Sequence, residues 1–186
     1  MKIFHVHKEV LVDAPFFKNT MKPEWSRQED KVPVDLTDED STIVEIYLKW
    51  LYSHNLPTDF GSGFHQIFLL YVLGEKLMHC TFQDAVLRGL IETCESLQSV
   101  PNGSTIKILY NGTTAGSPAR QLMVDMYCWR GEAKWADNRF DDAPAEFMRD
   151  CMRALMGVRK VPQGEVPWEK DVAQYFLGSK DKKREE

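Results

Sequence analysis

Apolar residues recur along most of this chain at helical spacing. From Ser41 onward, Ile43, Ile46, Tyr47, Trp50 and Leu51 fall three and four apart, which places them on one side of a helix. Val44 and Leu48 widen the stripe, so this helix is expected to be buried on more than one face. Asp38, Glu39, Asp40 and Ser41 supply capping oxygens and negative charge at its start, where free amides and the helix dipole favour both. Asn55-Leu56-Pro57 breaks it. A second helix is read from Phe64 to Met78, with Phe64, Ile67, Phe68, Tyr71 and Leu77 inward. Gly74 inside it costs about 1 kcal/mol against Ala and implies a close helix contact. A third runs from about Thr81 to Leu97 on Phe82, Ala85, Val86, Leu90 and Cys94. Pro101-Asn102-Gly103-Ser104 marks a boundary.

Beyond it, Thr105 to Tyr110 reads as either a short strand or the start of a helix. Ser117-Pro118 fits an N-cap with proline at the first helical position, ahead of a stripe at Leu122, Met123, Met126 and Tyr127. After a break from Gly131 to Asp142, a helix from about Pro144 to Val158 would turn Phe147, Cys151, Ala154, Leu155 and Val158 inward. Trp168, Val172, Tyr175 and Phe176 point to a last helical segment docking on the rest.

Upstream of Asp38 the pattern differs. Lys2 to His7 alternate, with Phe4 and Val6 on one side and Ile3, His5 and His7 on the other, which predicts a short strand. Lys8 to Asp13 reads as a brief helix, and Pro15 opens another through Met21, ended by Pro23. Val32, Val34 and Leu36 recur in period two, so Lys31 to Leu36 reads as a second strand; Pro33 lacks an amide proton and favours a sheet edge there.

The 186 residues suffice for one domain and a smaller unit, and 43% hydrophobic with 27% charged residues is an ordinary globular mix. A net charge of -5 with no basic half argues against nucleic acid or an anionic membrane as partner. The basic run from Lys180 to Arg184 reads as a solvated terminus. Four cysteines, Cys80, Cys94, Cys128 and Cys151, lack zinc or CxxC spacing and read as free thiols in a reducing compartment. No leader-like apolar segment opens the chain. The apolar run from Ile67 to Leu73 is far short of the roughly 20 residues that span a bilayer. An intracellular place, cytoplasmic or nuclear, is expected.

Few residues offer chemistry. His5 and His7 share a strand face, yet no third metal ligand stands nearby, so they read as structural. Glu75 and His79 are four apart with Cys80 adjacent, but helix neighbours diverge, and surface or helix-end placement is expected. Gly61-Ser62-Gly63 lacks the rest of a P-loop and reads as a linker. Asp38-Glu39-Asp40 lacks EF-hand spacing and reads as a cap. Among the tryptophans, Trp129 and Trp168 are expected in or beside core stripes. Trp25 and Trp135 sit in polar surroundings, and exposed Trp and Arg are enriched where proteins meet.

The order of these elements resembles a family. Phe4-His5-Val6-His7-Lys8-Glu9-Val10-Leu11 with Pro15-Phe16-Phe17 looks like the opening of a BTB/POZ domain. Val34-Asp35-Leu36 before Asp38-Glu39-Asp40 resembles that family's strand and acidic helix start. Tyr47-Leu48-Lys49-Trp50-Leu51-Tyr52 and Tyr71-Val72-Leu73-Gly74-Glu75-Lys76-Leu77 are similar to helical motifs of its fungal members, and Ile108 to Arg120 is similar to their C-terminal extension. The likeness covers residues 3 to 98 well and 99 to 160 more loosely. It implies an α+β fold, mostly helical: a helical cluster flanked by a small sheet. It also implies an activity of binding, by self-association or by capture on the cullin scaffold of a ubiquitin ligase. Two departures stand out. The family's usual first strand would precede Lys2, so it is missing here, as in a truncated gene model. At the cullin-binding signature the matching residues are Trp25-Ser26-Arg27, where Arg27 replaces a carboxylate and reverses the charge.

The expected organisation is a BTB/POZ-like domain at 1-98, a helical extension at 99-178 and a charged tail at 179-186. The expected function is a non-catalytic protein-protein interaction module, an adaptor or a dimer, with no cofactor and no metal. Met21, Trp25, Arg27 and Trp135 are its candidate partner contacts. The rival reading is a small helical hydrolase or transferase using Glu75, His79 or His65, although no nucleophile motif accompanies them.

Overall fold

The structure is a computed structural model that describes residues 2-11, 14-20, 34-57, 60, 63-137, 139-160, 162-164 and 166-176. The described residues form α1 (Pro15–Thr20), α2 (Ser41–Ser53), α3 (Phe64–Lys76), α4 (Cys80–Leu97), α5 (Gly103–Gly112), α6 (Pro118–Arg130), α7 (Ala145–Val158) and α8 (Pro167–Lys170), with 3-10 turns at Lys8–Leu11, Ala133–Asp137 and Val172–Tyr175. Residues 1-155 make one compact unit and 156-186 another.

Among the described residues there is no strand, which overturns the expected α+β plan with its small sheet. The physical reason is that alternation alone does not make a strand: a strand needs a partner to complete its backbone ladder. Lys2 to His7 keep the alternation as burial, with Phe4 and Val6 half-buried and Ile3, His5 and His7 exposed. The segment is anchored on α2 instead. Lys2 pairs with Glu45 at 2.6 Å, and the His7 backbone N–H donates to the Tyr52 hydroxyl at 3.0 Å. Of the second expected strand, Lys31 to Pro33 lie outside the described residues. Val34 to Leu36 close local turns: the Thr37 amide donates to the Asp35 carboxylate at 2.9 Å and the Glu39 amide to the Leu36 carbonyl at 3.0 Å. The segment that read as strand or helix, Thr105 to Tyr110, is helical within α5; the Asn102 side chain caps it by accepting from the Thr105 amide at 3.1 Å.

The helices pack because their apolar stripes meet. Asp40 caps α2 through the Thr42 amide at 2.7 Å, and Ile43, Val44, Tyr47, Trp50 and Leu51 are buried on it. The short apolar run of the sequence proves to be the centre of the first unit. On α3, Ile67, Phe68 and every residue from Leu70 to Gly74 are buried, because the helix lies against α2, α4 and α5. Its glycine has the reason the sequence implied: a Cβ at Gly74 would stand 2.8 Å from the Gln83 side chain and 3.1 Å from Phe82, both on α4. A second close approach joins α3 and α5, where a Cβ on Gly112 would stand 2.4 Å from the Val72 side chain.

The second unit holds α8 and the last 3-10 turn. The Gln174 side-chain amide closes it, donating to the Asp171 carbonyl at 2.8 Å and to the Pro167 carbonyl at 3.3 Å. Trp168, Val172, Tyr175 and Phe176, read as a docking stripe, are exposed.

Candidate interaction surface

The later helices of the first unit are held by one buried cation. Arg120, in the first turn of α6, is only 6% exposed. Its guanidinium donates to the Tyr110 carbonyl at 2.7 Å, to the Thr113 hydroxyl at 2.9 Å and to the Thr113 carbonyl. Those acceptors belong to the end of α5, where carbonyls lack helical partners and the dipole favours a cation. The same guanidinium pairs with Glu146 on α7 at 2.9 Å and lies over the Tyr110 ring at 4.3 Å. Ser117, read as the N-cap of α6, occupies the cap position but turns its hydroxyl to Tyr71 at 3.2 Å.

An aromatic cluster seats the inner face of α7. Phe147 is fully buried, edge-on to Tyr127 at 4.9 Å and to Tyr110 at 5.6 Å. The Tyr127 hydroxyl reaches the Pro101 carbonyl at 2.5 Å. Burial pushes the Cys151 thiol up to about 12 and the Cys94 thiol up to about 11, so both stay protonated and packed rather than nucleophilic.

The outer side of α7 departs from the sequence reading. Leu155 and Val158, expected inward, are 49% and 79% exposed. Met148, Met152 and Met156 are exposed beside them. At about 100° per residue, Met148, Met152, Leu155 and Met156 form one stripe adjoining the buried Phe147–Cys151 line. The apolar arc of this helix is wider than its neighbours cover. Trp129, expected near a core stripe, is 88% exposed on α6.

The residues singled out from the sequence are scattered. Met21, Trp25 and Arg27 lie outside the described residues. Trp135 is half-buried, edge-on to Tyr127 at 5.4 Å with the Arg139 guanidinium 4.8 Å above its ring. His7 shares a hydrogen bond with the Tyr52 hydroxyl at 2.9 Å, and among the described residues no three His, Cys, Asp or Glu side chains gather as a metal site. Glu75 accepts from Gln83 at 2.7 Å, while His65 is exposed at the opposite end of α3. His79, expected at a surface or helix end, stands at a helix end, the N-cap position of α4; it is buried, its Nδ1 sharing a hydrogen bond with the Tyr47 hydroxyl at 3.0 Å. The three groups of the rival enzyme reading are therefore not brought together.

Two hollows remain. Glu9, Trp50, His54, His79 and Thr81 line a cavity of about 190 Å³, below the roughly 300 Å³ at which small-molecule sites begin. Among the described residues, Trp50 Nε1 there is buried with no hydrogen-bond partner. A groove of about 430 Å³ runs between α6 and α7 past Gln121, Asp150 and Arg153. Among the described residues no helix is long and apolar enough to cross a membrane.

Comparison with protein-family models, with curated proteins and with solved structures finds no match.

Proposed function

We propose that this chain is a protein-binding module, an adaptor that performs no reaction of its own, and that its partner seats on the outer face of α7. The observation that carries the reading is the stripe of Met148, Met152 and Leu155, exposed on a helix whose other side is fixed in the core. Methionine is unbranched and polarisable, and it is over-used where a surface must fit a partner. The BTB/POZ resemblance points the same way, and its motif residues Tyr47, Trp50, Tyr71 and Leu77 are all buried. They build the helical cluster, which leaves contact to other surfaces. Cullin capture is not part of the proposal, because Arg27 reverses the charge of that signature.

Replacing Met152 by Glu tests it. Met152 is 58% exposed, so the variant should keep the unfolding free energy within the usual surface range of about 0.5 kcal/mol. A partner captured from native extract, identified and purified, should bind the wild type and lose about tenfold or more in affinity for the variant. Equal affinity for both would remove the surface from the account.

A further inference from the structure

The charges around the stripe identify the kind of partner. Arg149 and Arg153 stand four apart on α7, both exposed, along the edge of the stripe away from the core. Of the acids of the same helix, Glu146 is engaged on the core side, while Asp150 bridges the core side and Arg153 itself. Glu146 is held by Arg120 at 2.9 Å, and Asp150 accepts from the Tyr110 hydroxyl at 3.2 Å and from Arg153 at 2.9 Å. Arg149 sits in the first half of the helix, where the dipole does not account for a cation.

We infer that the partner is an acidic amphipathic helix: apolar anchors at i, i+3/4 and i+7 against Met148, Met152 and Leu155, and carboxylates along Arg149 and Arg153. This rests on the protein-binding reading above and names the chemistry of its partner. Helices recognise such stripes through anchors at that spacing, and complementary charge sets register and encounter rate. An anionic membrane is the other surface that a basic amphipathic helix fits. It is disfavoured here because a bilayer presents its charge to the whole chain, which carries net -5. A short peptide meets only the charges within about 10 Å of the stripe.

The probes are a labelled helical peptide of about 15 residues, Leu at the anchor positions and Glu on the flank, and its Lys-for-Glu counterpart. Anisotropy titrations use the full chain. The acidic peptide should bind about tenfold or more tighter than the basic one at about 50 mM salt, and the gap should narrow at about 500 mM. Arg149→Glu with Arg153→Glu should reverse the preference. Equal binding of the two peptides, no binding of either, or a double variant that keeps the wild-type preference would overturn the inference. Co-sedimentation with phosphatidylcholine–phosphatidylserine vesicles (about 3:1) that is lost in Met152→Glu would overturn it in favour of a membrane. If the peptides fail while the purified partner still discriminates Met152→Glu, the partner's chemistry is wrong and the protein-binding reading stands.

Discussion

Replacing Arg120 by Met should lower the unfolding free energy by about 3–5 kcal/mol, a fifth or more of the roughly 5–15 kcal/mol that domains commonly have. The loss is not that of one ion pair. Glu146 is 47% exposed at its side chain, so its pairing alone is worth about 1 kcal/mol or less, and Glu146→Gln should be mild. The large term comes from the carbonyls of Tyr110 and Thr113 at the end of α5, which lose their donor inside the protein. Methionine fills much of the same volume and offers no N–H. Arg120→Lys keeps the charge but not the fork that reaches both carbonyls, and should fall between wild type and Met. Urea unfolding of the three variants checks the order. A cost under about 1 kcal/mol for Arg120→Met would mean that water reaches those carbonyls and that the clamp joining α5, α6 and α7 is superficial.

Phe82→Ala should cost a similar amount, about 3–5 kcal/mol, for a different reason. Phe82 is fully buried at the crossing of α2, α3 and α4, edge-on to Tyr47 at 4.8 Å and to Trp50 at 4.9 Å. It also lies beside Gly74, where the backbone of α3 comes closest to α4. Truncation removes the transfer energy of the ring and leaves a hole that three helices cannot easily close. A chemical denaturation midpoint with its slope separates lost stability from lost compactness. A variant as stable as wild type would mean that these helices do not interlock here, and the placement of the cluster would be wrong.

Helix positions were largely legible because amphipathic spacing is a local property. The stripes of α2 and α4 are buried nearly as read, with Phe82, Val86, Leu90 and Cys94 inward on the latter. The sheet was misread because strand pairing is not local: Lys2 to His7 have the alternation of a strand but rest on α2. Arg120 was missed as a structural residue, although a signal was present. It falls three before Met123 and seven before Tyr127, so it lies in line with the apolar stripe of its own helix. A cation on that line either breaks the stripe or is buried with partners. The exposed face of α7 was hidden by its own consistency. Leu155 and Val158 continue the apolar pattern of Phe147 and Cys151, and the sequence does not say where the covering neighbours stop. The width of the arc was the available clue, since Met148, Met152 and Met156 extend it beyond what one neighbour buries.

The protein-binding account turns on where the partner sits, and methionine oxidation footprinting reads that directly. The purified chain and its complex are exposed to the same dilute peroxide, and each methionine is followed by mass. Met78, 49% exposed in the turn after α3, serves as the internal reference. The account predicts that Met148 and Met152 oxidise several-fold more slowly in the complex while Met78 keeps its rate. Oxidation of Met148 and Met152 at unchanged rates in a saturated complex would contradict it.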